Sequence, residues 1–247
     1  MRNLLLTISY RGTNYHGFQV QNNAITVSQV LQSAIEKILD HKIELKGCSR
    51  TDTGVHANRY CLNFKTNKSI LCLNLVRALN TILPSDIVAK SCQEVDLGFH
   101  ARYSCKKKEY IYKIWNSEIP SPFLIDLVYN YKYKIDEKIL DKQAKSFIGT
   151  YDFKSFCNFK KGKSLEDTVR TIYNCGVERQ EENLVIFKVC GDGFLYNMVR
   201  SMVGTLIFIQ EKKIKQDSIL DIIKNKDRSL AGKTAPARGL YLNNIFY

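Results

Sequence analysis

The sequence predicts an α+β protein built in two halves, and three observations carry that prediction. Up to Val95 the predicted elements follow the order β, α, β, β, α, β. A second set of strands and helices begins after a break near residue 105. Hydrophobic residues fill 45% of the 247 positions, with 14 Tyr, 12 Phe and 1 Trp, so the chain can bury a sizeable core in one large or two small domains.

Asn3 to Tyr10 is apolar and β-prone and runs into Arg11-Gly-Thr-Asn-Tyr-His-Gly17, a turn-rich loop. Thr26-Val-Ser-Gln29 has the form of a capping box, and Val27, Val30, Leu31, Ala34, Ile35, Ile38 and Leu39 then recur at helical spacing. Ile43 to Cys48 reads as a short strand and Arg59 to Lys65 as another, with the polar loop Ser49 to His56 between them. A helix over Leu73 to Ile82 stops before Leu83-Pro84-Ser85-Asp86, and a strand follows from Ile87 to about Val95.

This order is the ferredoxin-like, or RRM-like, split βαβ pattern: helices cover one face of an antiparallel sheet and leave the other free, as RNA-binding sheets require. In the second half Lys107 to Asn116 alternates as a strand and Asp136 to Ile148 reads as a helix. Thr168 to Glu178 and Leu184 to Cys190 read as strands, Tyr196 to Ile209 as a long apolar helix, Ser218 to Lys224 as a short one, and Gly239 to Phe246 as a last strand. The expected domains are therefore residues 1–105 and 106–247.

The formal net charge is +13, which points to a polyanionic partner. Basic clusters fall at Lys106 to Lys108, Lys160 to Lys163, Lys212 to Lys215 and Lys224 to Arg228. They are interleaved with Tyr110, Tyr112, Phe156 and Phe159, a combination suited to phosphate pairing and base stacking. The longest apolar stretch, around Met202 to Ile209, is far short of the roughly 18 residues that span a bilayer. Met1 to Tyr10 has no small-residue cleavage pattern and reads as a strand, not a signal peptide, so a cytoplasmic protein is expected.

Eight cysteines are scattered without a C-x-x-C pair and read as reduced thiols, mostly of the core. The four histidines lack the short helical spacing that presents two imidazoles to zinc. Metal-dependent nucleases and zinc deaminases, which need such ligand sets, are disfavoured.

The densest run of unusual residues is Gly47-Cys-Ser-Arg-Thr-Asp-Thr-Gly-Val-His-Ala57. Its one carboxylate, Asp52, is bracketed by Arg50 and His56. An Asp beside a fixed cation stays ionised at neutral pH, as a nucleophile or a general base must. The same residues also fit an Asx-turn with Arg50 in solvent.

Arg50-Thr-Asp-Thr-Gly-Val-His-Ala57 resembles the catalytic motif of the TruA family of tRNA pseudouridine synthases. Further segments extend the resemblance over almost the whole chain: Tyr10-Arg-Gly-Thr-Asn-Tyr-His-Gly-Phe-Gln19, Phe99-His-Ala-Arg102, Lys108-Glu-Tyr-Ile-Tyr112, Gly193 to Gly204, and Ala235-Pro-Ala-Arg-Gly-Leu-Tyr-Leu242. Arg11, Phe18, Ser49 and Asn197 stand where the family more often has other residues, and none of them removes a catalytic group.

The resemblance implies two α+β halves joined in one extended antiparallel sheet, helices on one side, and a central basic cleft for RNA. It implies a homodimer that isomerises uridine to pseudouridine in the tRNA anticodon stem-loop, with no metal and no organic cofactor. Asp52 would be the essential carboxylate, as nucleophile at C1′ or base towards the 2′ carbon. Tyr110 would stack on the target base, and Arg200 would pair with Asp52 and hold it ionised. Arg50 and Arg102 would contact RNA and help evict the nucleotide, while Leu240 and Tyr241 would line the uracil pocket. Without the resemblance, Tyr110 reads as an ordinary strand tyrosine, Arg50 and Arg102 as surface arginines, and Leu240 and Tyr241 as residues buried by a terminal strand. A non-catalytic RNA-binding module is the competing class, and Asp52 speaks against it because a carboxylate in an RNA cleft repels phosphate.

Overall fold

The computed structural model describes residues 1–158 and 167–247. They form two compact units, Met1–Lys106 with Tyr241–Tyr247, and Lys107–Leu240.

The first unit holds β1 (Arg2–Tyr10), α1 (Val27–Leu39), β2 (Lys46–Gly47), β3 (His56–Thr66), α2 (Cys72–Ile82) and β4 (Ile87–Val95). β1 lies between β4 and β3, antiparallel to both, and β2 runs antiparallel to β3 at Lys46↔Asn63. This is the split βαβ arrangement, with β3 inserted between β1 and β2. α1 begins where the capping residues predict, with the Thr26 hydroxyl accepting from the Gln29 N–H at 3.3 Å. Leu4, Leu6, Ile8, Leu31, Ile35, Tyr60 and Phe64 are fully buried and make the core.

Two expectations change in this unit. The strand expected over Ile43 to Cys48 is reduced to β2, because the Ile43 N–H donates to the Glu36 carboxylate at 3.1 Å and so is tied to the end of α1. β2 therefore covers only part of the β3 edge. β10 (Leu240–Phe246) pairs in parallel with the uncovered end, Tyr241 opposite His56 and Leu242 opposite Ala57, which is why the last seven residues count with the first unit.

The second unit holds β5 (Lys107–Trp115), β6 (Tyr129–Asn130), α3 (Glu137–Lys145), β7 (Gly149–Asp152), β8 (Val169–Glu181), β9 (Leu184–Gly191), α4 (Met198–Gln210) and α5 (Ile219–Asn225). β9 lies between β5 and β8, antiparallel to both, so the first-third-second order of the first unit recurs. α3 is shorter than the sequence predicts. Asp136 caps it by accepting from the Lys138 and Ile139 N–H groups, and a tight turn through Ser146, Phe147 and Ile148 closes it ahead of β7. α4 begins at Met198, not Tyr196, because Asn197 is left-handed at φ 60°. No helix among the described residues is long and apolar enough to cross a membrane.

Candidate active site

The Asp52 loop joins β2 to β3, and Cys48, Ser49 and Thr51 ahead of Asp52 are held by the backbone or by a buried ring. The Cys48 N–H donates to the Cys61 carbonyl at 2.9 Å, and the Tyr60 hydroxyl donates to the Ser49 carbonyl. Thr51 Oγ1 meets the Tyr10 hydroxyl at 2.8 Å, in a pair buried from solvent. The Val55 N–H closes a turn onto the Asp52 carbonyl at 3.1 Å. Asp52 itself is half-buried and Arg50 is exposed.

A second loop, between β1 and α1, lies directly on the first. Phe18 donates its N–H to the Thr51 carbonyl at 3.3 Å, and the Gly54 N–H donates to the Tyr15 carbonyl at 3.3 Å. The approach is so close that glycine is required twice. A Cβ on Gly12 would stand 2.0 Å from the Val55 carbonyl oxygen, and one on Gly17, which is also at φ 82°, 2.3 Å from that of Thr51. Phe18 stacks on Tyr60 at 4.0 Å between centroids, and Asp86 anchors the loop by accepting from the Tyr15 hydroxyl at 2.6 Å and the Asn14 amide at 3.0 Å. Burial first, and then the bond to Asp86, raise the Tyr15 hydroxyl's pKa, so it stays a donor.

His56, which brackets Asp52 in the sequence, also holds the loop between β1 and α1. Its buried ring accepts the Gly12 N–H on Nδ1 at 2.9 Å and lies 4.6 Å from the Tyr241 ring. Burial raises the Tyr241 hydroxyl to about 12, so it is protonated at ordinary pH.

Arg102 is exposed, on a turn fixed from below by two asparagines that sequence reasoning missed. Asn63 accepts the Ala101 N–H at 2.8 Å and donates to Asn3 at 2.9 Å and to the Phe99 carbonyl at 3.2 Å. Asn3 in turn donates to the Asp96 and Phe99 carbonyls. Both asparagines are buried, and their place within apolar strands was the available signal, since a buried amide demands partners.

In the second unit Tyr110 sits on β5 opposite Val189, 6% exposed, its ring edge-on to Phe194 at 5.1 Å. Arg200 lies in the first turn of α4, half-buried. Its Nε donates to the Ala235 carbonyl at 2.7 Å, one terminal nitrogen donates to Asn197 Oδ1 at 2.7 Å, and its own carbonyl accepts the Ala235 N–H. The segment carrying Ala235 is clamped by Arg228, which donates to Asn158, Gly232 and Thr234. The neighbouring Pro236 carbonyl takes the Tyr112 hydroxyl at 2.7 Å. Arg228, grouped by sequence with the basic clusters, is thus a structural residue. Lys226 likewise pairs with Asp152 at 2.9 Å and Lys213 with Glu211 at 2.6 Å. Lys107 remains at the surface, its ammonium 5.1 Å from the Tyr173 ring centre. Phe159 and the cluster Lys160 to Lys163 lie outside the described residues. Leu240 and Tyr241 are both buried, 6% and 7% exposed. Among the described residues no three His, Cys, Asp or Glu side chains gather as metal ligands.

A family model described as tRNA pseudouridine synthase matches residues 6–104 and 143–247. The chain belongs to that family. The ranges matched to the tRNA pseudouridine synthases include Arg50, Asp52, Arg102, Arg200, Leu240 and Tyr241, and Tyr110 falls between them. A tRNA pseudouridine synthase A of Thermoanaerobacter sp. (strain X514) is 46% identical over 247 residues, 100% of both chains. Proteins of the same name from Acetivibrio thermocellus and Clostridium acetobutylicum are 47% and 43% identical, again over 100% of both chains. Among solved structures, a Cbf5-Nop10-Gar1 complex overlaps with a TM-score of 0.37 at 14% identity, over 83% of this chain and 44% of that one, a likeness too loose to build on.

Proposed function

We propose that this chain isomerises uridine to pseudouridine in the anticodon stem-loop of tRNA, with Asp52 as the essential carboxylate. Besides family membership, the observation that carries this reading is the bracing of the Asp52 loop. Thr51, immediately before Asp52, is held through its hydroxyl by Tyr10 and through its carbonyl by Phe18. A reacting group needs such support, because small misplacements cost rate.

The reaction breaks N1–C1′, turns the uracil, and joins C5 to C1′; the C5 proton leaves and N1 gains one, so no co-reactant is consumed. Asp52 acts at the ribose, as nucleophile on C1′ or as base towards the 2′ carbon, and either role needs its ionised form. Arg200 is the cation that keeps it so. Tyr110 stacks on the target base, Leu240 and Tyr241 line the uracil pocket, and Arg50 and Arg102 hold RNA and help extrude the nucleotide, a step costing a few kcal/mol. The active form is a cytoplasmic homodimer, which light scattering of the purified protein tests.

The decisive experiment is Asp52→Asn. The amide keeps the shape but serves as neither nucleophile nor base, so pseudouridine formation should vanish while tRNA affinity stays within about tenfold. Appreciable turnover by this variant would move the chemistry elsewhere. Pseudouridine mapping of total RNA, with and without the gene, locates the modified position.

A further inference from the structure

Tyr103 is 76% exposed, an aromatic ring held in water by the same turn that carries Arg102. The turn is cross-tied. The Ser104 N–H donates to the His100 carbonyl at 2.9 Å, the His100 N–H to Ser104 Oγ at 3.2 Å, and the Arg102 N–H to His100 Nδ1 at 3.1 Å. Ala101, fully buried, gives its N–H to Asn63, and its carbonyl accepts from the Tyr247 hydroxyl at 3.1 Å.

A ring supported in this way is ordered before any ligand arrives, which lowers the entropy lost on binding. His100 backs it at 4.3 Å between centroids, with the planes tilted by 43°, and the Arg102 guanidinium carbon lies 5.7 Å from its centre. An aromatic face beside a planar cation suits a flat π-system joined to an anion, which is the chemistry of a nucleotide. Unpaired bases stack on aromatic rings in RNA-binding proteins without regard to sequence, because every base has a π-face. An acidic peptide would engage Arg102 and leave the ring unused. The net charge of +13 favours the nucleic acid as the polyanion.

We propose that Tyr103 is a stacking site for an unpaired RNA base, with Arg102 taking an adjoining phosphate. The inference rests on the reading of this chain as a tRNA-modifying enzyme in which Arg102 holds RNA.

Tyr103→Ala tests it, with tRNA affinity measured by filter binding at several salt concentrations. Losing one stacked base should raise the dissociation constant about fivefold to a hundredfold. The slope against salt should hold, since stacking releases no counterions, and the melting temperature should change little because the ring is exposed. Tyr103→Trp should bind at least as well as the unaltered protein. Tyr103→Leu, apolar but without a π-face, should bind as poorly as the Ala variant. An Ala variant of unaltered affinity, or a Leu variant that binds normally, overturns the proposal. So does loss of a dimer by the Ala variant in light scattering, which would make the ring a contact between copies of the chain. Arg102→Ala run alongside tells two failures apart. If it weakens binding and flattens the salt slope by about one while Tyr103→Ala is normal, only the stacking role falls. If it is itself normal, the RNA contact given to Arg102 falls with it.

Discussion

The hydroxyl of Tyr10, at the end of β1, meets Oγ1 of Thr51 at 2.8 Å, although the two residues stand 41 positions apart. Both are buried, so the first strand of the sheet grips the residue directly before Asp52.

Tyr10→Phe removes that grip and leaves Thr51 Oγ1 without it in a dry site. A loss of about 1–2 kcal/mol in unfolding free energy is expected, with kcat lowered and tRNA affinity unchanged. Thr51→Val should act in the same direction, and the double variant should be little worse than either single one, because both delete one bond. Urea unfolding and single-turnover kinetics check this, and fully additive losses would contradict it.

Asn63→Ala should unpin the turn that carries Arg102. The Ala101 N–H loses its acceptor and the Asn3 side chain loses a donor, in surroundings without water to replace them. Roughly 1–3 kcal/mol of stability should go with each buried group left unpaired. tRNA binding should weaken even at temperatures where the variant is fully folded, as filter binding beside a thermal melt would reveal.

The charge of +13 implies that tRNA is held mainly through its phosphates. With about six phosphates neutralised, log affinity should fall against log salt with a slope of roughly −4 to −5. Lys107→Ala should flatten that slope by nearly one and weaken every tRNA alike. Tyr110→Ala should lower turnover without altering the slope, since a stacking residue releases no counterions. Titrations at several salt concentrations decide, and a flat dependence would make the basic excess a matter of solubility. Lys161→Ala, in the cluster outside the described residues, is expected to behave as Lys107→Ala does.

Acid sensitivity should centre partly on Glu36. Hydrogen bonds from Gln32, Lys42 and the Ile43 N–H lower its pKa from the usual 4.5 to about 2. The unfolded chain takes up this proton first, so ionised Glu36 favours the folded state above about pH 4.5, and its contribution fades as pH falls towards 2. Glu36→Gln should flatten the stability curve in that window. An unchanged curve from pH 5 to 2 would count against this assignment.

Much of the architecture was legible because its signals are local. The capping residues before α1, the alternation in β5 and the apolar runs of β1 and β9 each report a periodicity that a few neighbours complete. Shorter elements escaped: β6 is two residues long and β7 four, too few to display a period. At the site, glycines, a lone carboxylate and flanking cations marked the Asp52 loop. The pattern could not say that His56 turns towards Gly12, or that Arg228 clamps a loop while Lys107 stays at the surface. Those outcomes depend on which segments meet.

The sequence by itself determined the α+β class, the order of strands and helices, the loop that carries Asp52 and the excess of positive charge, because composition and periodicity are properties of neighbours along the chain. Only the tertiary structure decided that Thr51 is held by Tyr10 and Phe18, that Asn3 and Asn63 support the Arg102 turn, that β10 completes the edge of β3, and that Asn197 turns its amide from the helix to Arg200. Each of these joins groups distant in sequence or depends on one backbone angle. A buried polar group must find its partner wherever the folded chain brings one within about 3 Å, and local pattern carries no record of that distance.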